Sequence, residues 1–260
     1  MNKHNLFWGA LLILAGVLFL GNNLNWFSIR PQLIFPIVLI ALGIYTLLSR
    51  QWPDDQNSIA DSIQIPLEGA KRAELRLTYG AGKFSLSGGG SGTQLLSGSG
   101  SVQHSARREG DTLRVRLEHG LTTFFPWNWN GAQRLKLQLN AKTPAIIKLE
   151  CGAADSTLDL RDTQVQEIEI ETGASSTTLV MPQRAGHTRA KISGGAANFD
   201  ITVPEGVAAR ISVESGLGSV MINEQRFPRN LNAYQSVDYD KAANTLELMI
   251  EVGLSSVQVK

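Results

Sequence analysis

The chain has 260 residues, 43% of them hydrophobic, which is enough for one large core or two domains. Its 24 Lys and Arg against 23 Asp and Glu leave a net charge of +1, so the basic excess that a nucleic-acid binder gathers on one face is missing and nucleic acid is not expected as a partner. The single cysteine, Cys151, excludes an internal disulfide and, with no basic neighbour beside it in sequence, reads as a small buried residue rather than a reactive thiol.

The first fifty residues differ from the rest. Leu6 to Gly21 holds no polar side chain beyond the indole of Trp8, and Leu33 to Leu48 has only Tyr45 and Thr46 as polar members. Each run would make a helix of about 24 Å, at about 1.5 Å per residue. That is short of a hydrocarbon core of about 30 Å. The flanks supply the remainder: Trp8, Trp26, Tyr45 and Trp52 suit the headgroup level, and Lys3 and Arg50 can snorkel. The pattern predicts an α-helical transmembrane hairpin over residues 1–50, turned by GNNLNWFSIRPQ (21–32). Gly9 and Gly16, seven residues apart, share one face and would let a neighbouring helix approach closely. A signal peptide fits less well. Asn22 and Asn23 follow the first run without a small-residue cleavage site, and a second apolar run comes soon after. Lys3 and Arg50 lie on the outer flanks of the hairpin, Lys71 and Arg72 lie further on and Arg30 lies in its turn, which places both ends and the large C-terminal part in the cytoplasm. Residues 51–62 (QWPDDQNSIADS) read as a polar tether.

From residue 63 to 260 the periodicity is that of strands. Six glycines recur in one frame: Gly80, Gly152, Gly173, Gly195, Gly216 and Gly253. Three residues before them stand Leu77, Leu149, Ile170, Ile192, Val213 and Ile250, and six after stand Leu86, Leu158, Leu179, Ile201, Ile222 and Val259. Apolar residues at every second position are strand grammar, and a glycine between two such runs marks a corner with unusual backbone angles or no room for a side chain. The spacing of 152, 173, 195 and 216 gives a repeat of about 21 residues, one supersecondary unit stacked on copies of itself. Strand pairing within the stack, coil by coil or as antiparallel sheets, is left open by the pattern. The long interval from Gly80 to Gly152 is expected to hold layers without the glycine signature, as the end of a stack must cap an open edge. Ser87 to Ser101 (SGGGSGTQLLSGSGS) reads as a mobile loop, and 226–245 as an insertion.

Chemistry-bearing patterns are sparse. His4, His104, His119 and His187 are isolated, and neither H-E-x-x-H nor C-x-x-C occurs. Asp155, Asp159 and Asp162 lack the glycine and glutamate of a calcium loop, and Gly88 to Gly90 lacks the lysine of a phosphate loop. No G-x-S-x-G is present. Catalytic, cofactor-binding and metal-ligating residues are therefore not expected. Phe124, Phe125, Trp127 and Trp129 pack four aromatics into six residues without a charge. They fit two roles: first, filling or capping one end of the stack; second, contacting the membrane or a partner.

With these residues in place, the chain resembles a known family. Phe7 to Leu20 (FWGALLILAGVLFL) is similar to the transmembrane region shared by LiaI and LiaF proteins. Gly80-Ala81-Gly82-Lys83-Phe84-Ser85-Leu86 resembles the opening of the LiaF soluble domain, called a toast rack for its layered form. Leu158-Asp159-Leu160, Gly194-Gly195-Ala196-Ala197, Ile201-Thr202-Val203-Pro204 and the unit from Gly253 to Val259 resemble its later repeats. The resemblance implies a bacterial membrane protein of cell-envelope stress signalling, a negative regulator acting through a partner histidine kinase. LiaF proteins commonly carry more membrane helices than the two expected here. The combined expectation is a mainly β toast-rack stack behind an α-helical transmembrane hairpin, acting without catalysis as a membrane-anchored adaptor. The alternative is a self-assembling scaffold at the membrane surface. An enzyme or ligand-binding module is a third reading, for which no clustered acid and base set speaks.

Overall fold

The computed structural model describes residues 62–90, 92–118, 134–231 and 233–260. Every regular element among them is a β-strand. Two short antiparallel strands open the chain's order, β1 (Ser62–Pro66) and, later, β3 (Gln94–Ser99). The long strand β2 (Arg72–Gly90) lies between them in sequence, and β4 (Gln103–Glu109) and β5 (Thr112–Glu118) follow as a hairpin. Glu109 faces Thr112 across it, and Gly110 takes the positive φ of 61° that so tight a turn requires. Next come β6 (Arg134–Asn140), β7 (Ala145–Asp159), β8 (Val165–Thr172), β9 (Ser176–Val180), β10 (His187–Gly194) and β11 (Asn198–Thr202). The chain ends with β12 (Ala208–Ile222), the small strands β13 (Arg229–Asn230) and β14 (Ala233–Gln235), and β15 (Thr245–Val259).

All fifteen strands belong to one hydrogen-bonded sheet, and its long members run parallel. Each rung of this stack has two limbs, one on either side of its glycine. In the first limb the register aligns Leu77, Leu149, Ile170, Ile192, Ile250 and Val213. In the second it aligns Leu86, Leu158, Leu179, Ile201, Val259 and Ile222. These are the two columns that the sequence frame predicts. The six glycine units are therefore equivalent rungs, and their aliphatic columns form one buried core. Spatial order departs from chain order at one point. β15 lies between β10 and β12, so the final rung is slotted in one place before the end of the stack. The insertion at 226–245 carries the chain back to it.

Why both limbs face one core follows from parity. In β7, residues 145, 147, 149 and 151 are buried in the first limb, and 154, 156 and 158 in the second. The alternation slips by one at Gly152 and Ala153, both exposed. The same slip occurs in β2 and β15. A strand's side chains change face at every residue, so a one-residue slip keeps the apolar set inward after the corner. Outside, opposite charges face each other across rungs: Lys148 with Glu169 at 2.7 Å, Arg189 with Glu247 at 3.1 Å, Lys191 with Glu251 at 3.1 Å and Arg114 with Glu74 at 3.0 Å. Such exposed or part-exposed pairs contribute about 0–1 kcal/mol each but oppose shifts of register.

Two expectations are corrected. The expected fold combined helix and sheet. The described residues contain strands and no α-helix, so their fold is all-β, and the helical hairpin assigned to 1–50 lies outside them. The Gly/Ser-rich stretch from Ser87 to Ser101 is largely strand, and its Leu95 and Leu96 are fully buried. Its small residues serve packing: a Cβ on Gly98 would lie 2.1 Å from the Lys136 carbonyl oxygen. Val213 packs against the same core but is half-buried, because its rung is the last of the stack.

Candidate functional site

The corner line is the most regular feature of the surface. None of the six rung glycines has a positive φ, so backbone conformation is not what requires them. Space is. A Cβ on Gly152 would lie 2.5 Å from the Gly80 carbonyl oxygen. The same contact would be 2.9 Å from Gly173 to Gly152, 3.2 Å from Gly195 to Gly173, 2.8 Å from Gly253 to Gly195 and 3.3 Å from Gly216 to Gly253. Gly80, first in the ladder, meets nothing within 4 Å. Backbone bonding continues through the corner. The N–H of Ala174 donates to the Gly152 oxygen at 3.0 Å, that of Ala196 to the Gly173 oxygen at 2.9 Å, and that of Leu254 to the Gly195 oxygen at 2.8 Å. Each glycine thus lets the next backbone come close enough to keep its polar groups satisfied.

Beside the glycines runs an exposed column. Its members are Ala81, Ala153, Ala174 and Ala196, then Leu254 and Leu217 at the C-terminal end. The alanine part borders a shallow open groove of about 440 Å³, edged by Lys83, Asp155, Ser175, Ser176 and Asn198. The leucine part is apolar: Leu254 is 63% and Leu217 75% exposed, with Met221 54% exposed nearby on the same terminal rung.

The chemistry beneath the corner is quiet. Cys151 is buried, its Sγ 3.8 Å from the Ser156 hydroxyl. Burial pushes its thiol up to about 11, against the opposing effect of the Ser156 hydrogen bond. It is a neutral thiol near pH 7, not a nucleophile. Burial, and then the neighbouring Cys151, raise the Tyr79 phenol to about 12, and its hydroxyl donates to the Lys83 carbonyl. Lys148 is held above its ordinary value by its hydrogen bond to Glu169. Among the described residues, no three His, Cys, Asp or Glu are grouped to hold a metal ion.

Gly9, Gly16, Phe124, Phe125, Trp127 and Trp129 lie outside the described residues. The register still locates the roots of the aromatic segment. Thr78 faces Glu118 and Lys83 faces Arg134, so fifteen residues stand where β2 has four. Together β5 and β6 accompany the two limbs of β2. Sequence reading missed the terminal rung's open side. The signal was present in the change from Ala to Leu immediately after the last two glycines in the spatial order.

Comparison with known families matches residues 54–202 to the N-terminal domain of toast_rack, DUF2154, and residues 7–65 to the LiaF transmembrane domain. A crystal structure from Clostridium sporogenes, described as that of a candidate cell adhesion protein, is similar with a TM-score of 0.71 and 23% identity. It covers 77% of this chain and 97% of its own. A candidate adhesin from Bacteroides fragilis aligns over 78% of this chain and 98% of its own at 9% identity, with a TM-score of 0.27, too low to speak to the fold. No curated protein matches the chain significantly.

Proposed function

Because the chain belongs to the toast-rack family and carries a LiaF transmembrane domain ahead of its β-stack, we propose that it is a membrane-anchored regulator of cell-envelope stress signalling, acting without catalysis on a partner sensor histidine kinase. The observation that carries this reading is the succession of the two matched regions, 7–65 and 54–202, in one chain. The division is an anchor over 1–50, a tether over 51–62 and the stack over 63–260. The basic residues Lys3, Arg50, Lys71 and Arg72 favour a cytoplasmic stack. Contact in the membrane is assigned to Gly9 and Gly16, whose small size lets a partner's segment approach. Contact at the surface is assigned to Phe124, Phe125, Trp127 and Trp129, since aromatics supply much of the binding energy at interfaces. The C. sporogenes relative's description points to an adhesive alternative, in which the stack faces outward.

Crosslinking in intact membranes followed by affinity purification tests the reading. A sensor kinase recovered with the wild-type chain, and reduced at least several-fold by Gly9→Leu with Gly16→Leu or by Trp127→Ala with Trp129→Ala, is the expected result. Recovery of no kinase, or proteolysis of the stack from the outer face of intact cells, overturns it.

A further inference from the structure

The two limbs of the last rung, β12, are finished differently. Along its inner side β12 pairs with β15 from Ala208 to Ile222. On its outer side, β14 pairs with Arg210 and Ile211 only. The insertion that supplies β14 also packs the fully buried Phe227 and the half-buried Tyr234 against the core. From Ser212 to Ile222 no described strand pairs with the outer edge. The consequence appears in burial. Val220 and Ile222 are half-buried, whereas their partners Val257 and Val259 on β15 are fully buried. From Ser215 to Ile222 (SGLGSVMI) there is no charge and no proline, the two common protections of an edge.

The opposite end is protected. Its outermost first-limb strand, β4, is exposed throughout and carries His104, Arg107, Arg108 and Glu109. Its outermost second-limb strand, β1, has only five residues and ends in Pro66, which has no N–H to donate. A head-to-tail fibre, β12 onto the far end of another copy, therefore meets charge or a truncated edge.

We propose that the bare edge of β12 is completed by the same edge of a second copy of this chain, paired antiparallel about a two-fold axis at Ser219. This register is self-complementary. Leu217 stands opposite the partner's Met221 on the outer face, joining two exposed apolar side chains to two others. Gly218 stands opposite the partner's Val220, and Gly216 opposite the partner's Ile222, so large inward side chains meet gaps rather than each other. The acidic Glu214 and Glu224 flank the stretch and limit pairing to seven residues. A two-fold pairing closes on itself, as a stable dimer requires. Seven residues make a small interface, and confinement to a membrane supplies the high local concentration that a small interface needs.

The test uses the full chain in its membrane. Paired residues of antiparallel strands have Cα atoms about 4.5–5.5 Å apart. That separation is within disulfide range. Under mild oxidation, Ser219→Cys gives a disulfide-linked dimer, seen as doubled mass on a non-reducing gel. Ser176→Cys, in the same outward column three rungs away, gives less than a tenth as much. Met221→Lys, or Leu217→Lys at a second exposed site, placed in the Ser219→Cys background reduces the crosslink at least tenfold while the β-sheet circular dichroism signal is kept. No crosslink at Ser219→Cys, equal crosslinking at Ser176→Cys, or a crosslink that survives both lysine substitutions overturns the proposal.

Discussion

The two ends of the stack solve one problem in different ways. At the N-terminal end, β2 is covered on both limbs, by β5 with the charged β4 on the first and by β6, β3 and β1 on the second. At the C-terminal end, β12 is covered on part of one limb and, on the other, left apolar with no described strand against it. Between the ends the rungs share one register. A repeat can copy its interior indefinitely, but its ends must be made individually, and function is most readily placed where an end is left unfinished.

Interior and end rungs should differ most in the cost of a core truncation. Ile170→Ala and Ile192→Ala remove side chains that are fully buried between neighbours on both sides. Each should destabilise the full chain in detergent by about 2–5 kcal/mol in chemical denaturation. Val213→Ala, on the half-buried last rung, should cost about half as much or less, since less apolar surface is returned to water. Equal losses at all three would mean that the last rung is covered.

The glycines near the two ends should respond next. A Cβ on Gly98, near the capped end, would meet the Lys136 carbonyl oxygen at 2.1 Å, and one on Gly218, at the bare end, the Ser255 carbonyl oxygen at 1.9 Å. Alanine at either position should cost about 1–3 kcal/mol through forced backbone shifts. In the monomeric chain no described strand pairs with the outer side of β12 here, so β12 can move outward and Gly218→Ala should be the milder change despite the shorter distance. A larger loss at Gly218 than at Gly98 would contradict the open edge.

Titration at the corner gives a smaller effect. The folded-state values of Cys151 and Tyr79 are raised from 9.0 to about 11 and from 10.0 to about 12. Groups raised on folding contribute stability that is whole below their unfolded values and is lost as pH rises through the folded ones. Stability should therefore fall from about pH 9 upward, and Cys151→Ala should flatten the part of that fall between about pH 9 and 11. A thiol reagent at pH 8 should label Cys151 only after unfolding. Rapid labelling of the native chain would show an accessible corner. The smallest change is expected on the outer face: Arg189→Ala with Glu247→Ala should cost under about 1 kcal/mol, measured by the same denaturation.

Much of the stack was readable because each rung obeys one local rule. Leu149, Ile170 and Ile192 could be aligned from spacing alone, and the one-residue slip at the glycines is contained in the interval from Leu149 to Ser156. What could not be read is non-local. That β15 enters between β10 and β12 depends on pairing energies across some fifty residues, and no single rung encodes its neighbour. Leu95 and Leu96 were misread as loop because glycine and serine signal flexibility as often as close packing, and only the proximity of β6 decides which. The candidate contact residues were readable as composition alone.

The central claim is that the rung glycines are required by the approach of the neighbouring backbone and not by their own conformation. Comparing Gly152→Ala with Gly80→Ala in thermal denaturation of the full chain tests it most directly. The two positions occupy one frame in sequence, yet a Cβ on the first would lie 2.5 Å from a carbonyl oxygen and on the second would meet nothing within 4 Å. A drop in melting temperature of several degrees for Gly152→Ala, with Gly80→Ala close to wild type, is the predicted result. Equal drops for both, or none for Gly152→Ala, would contradict it.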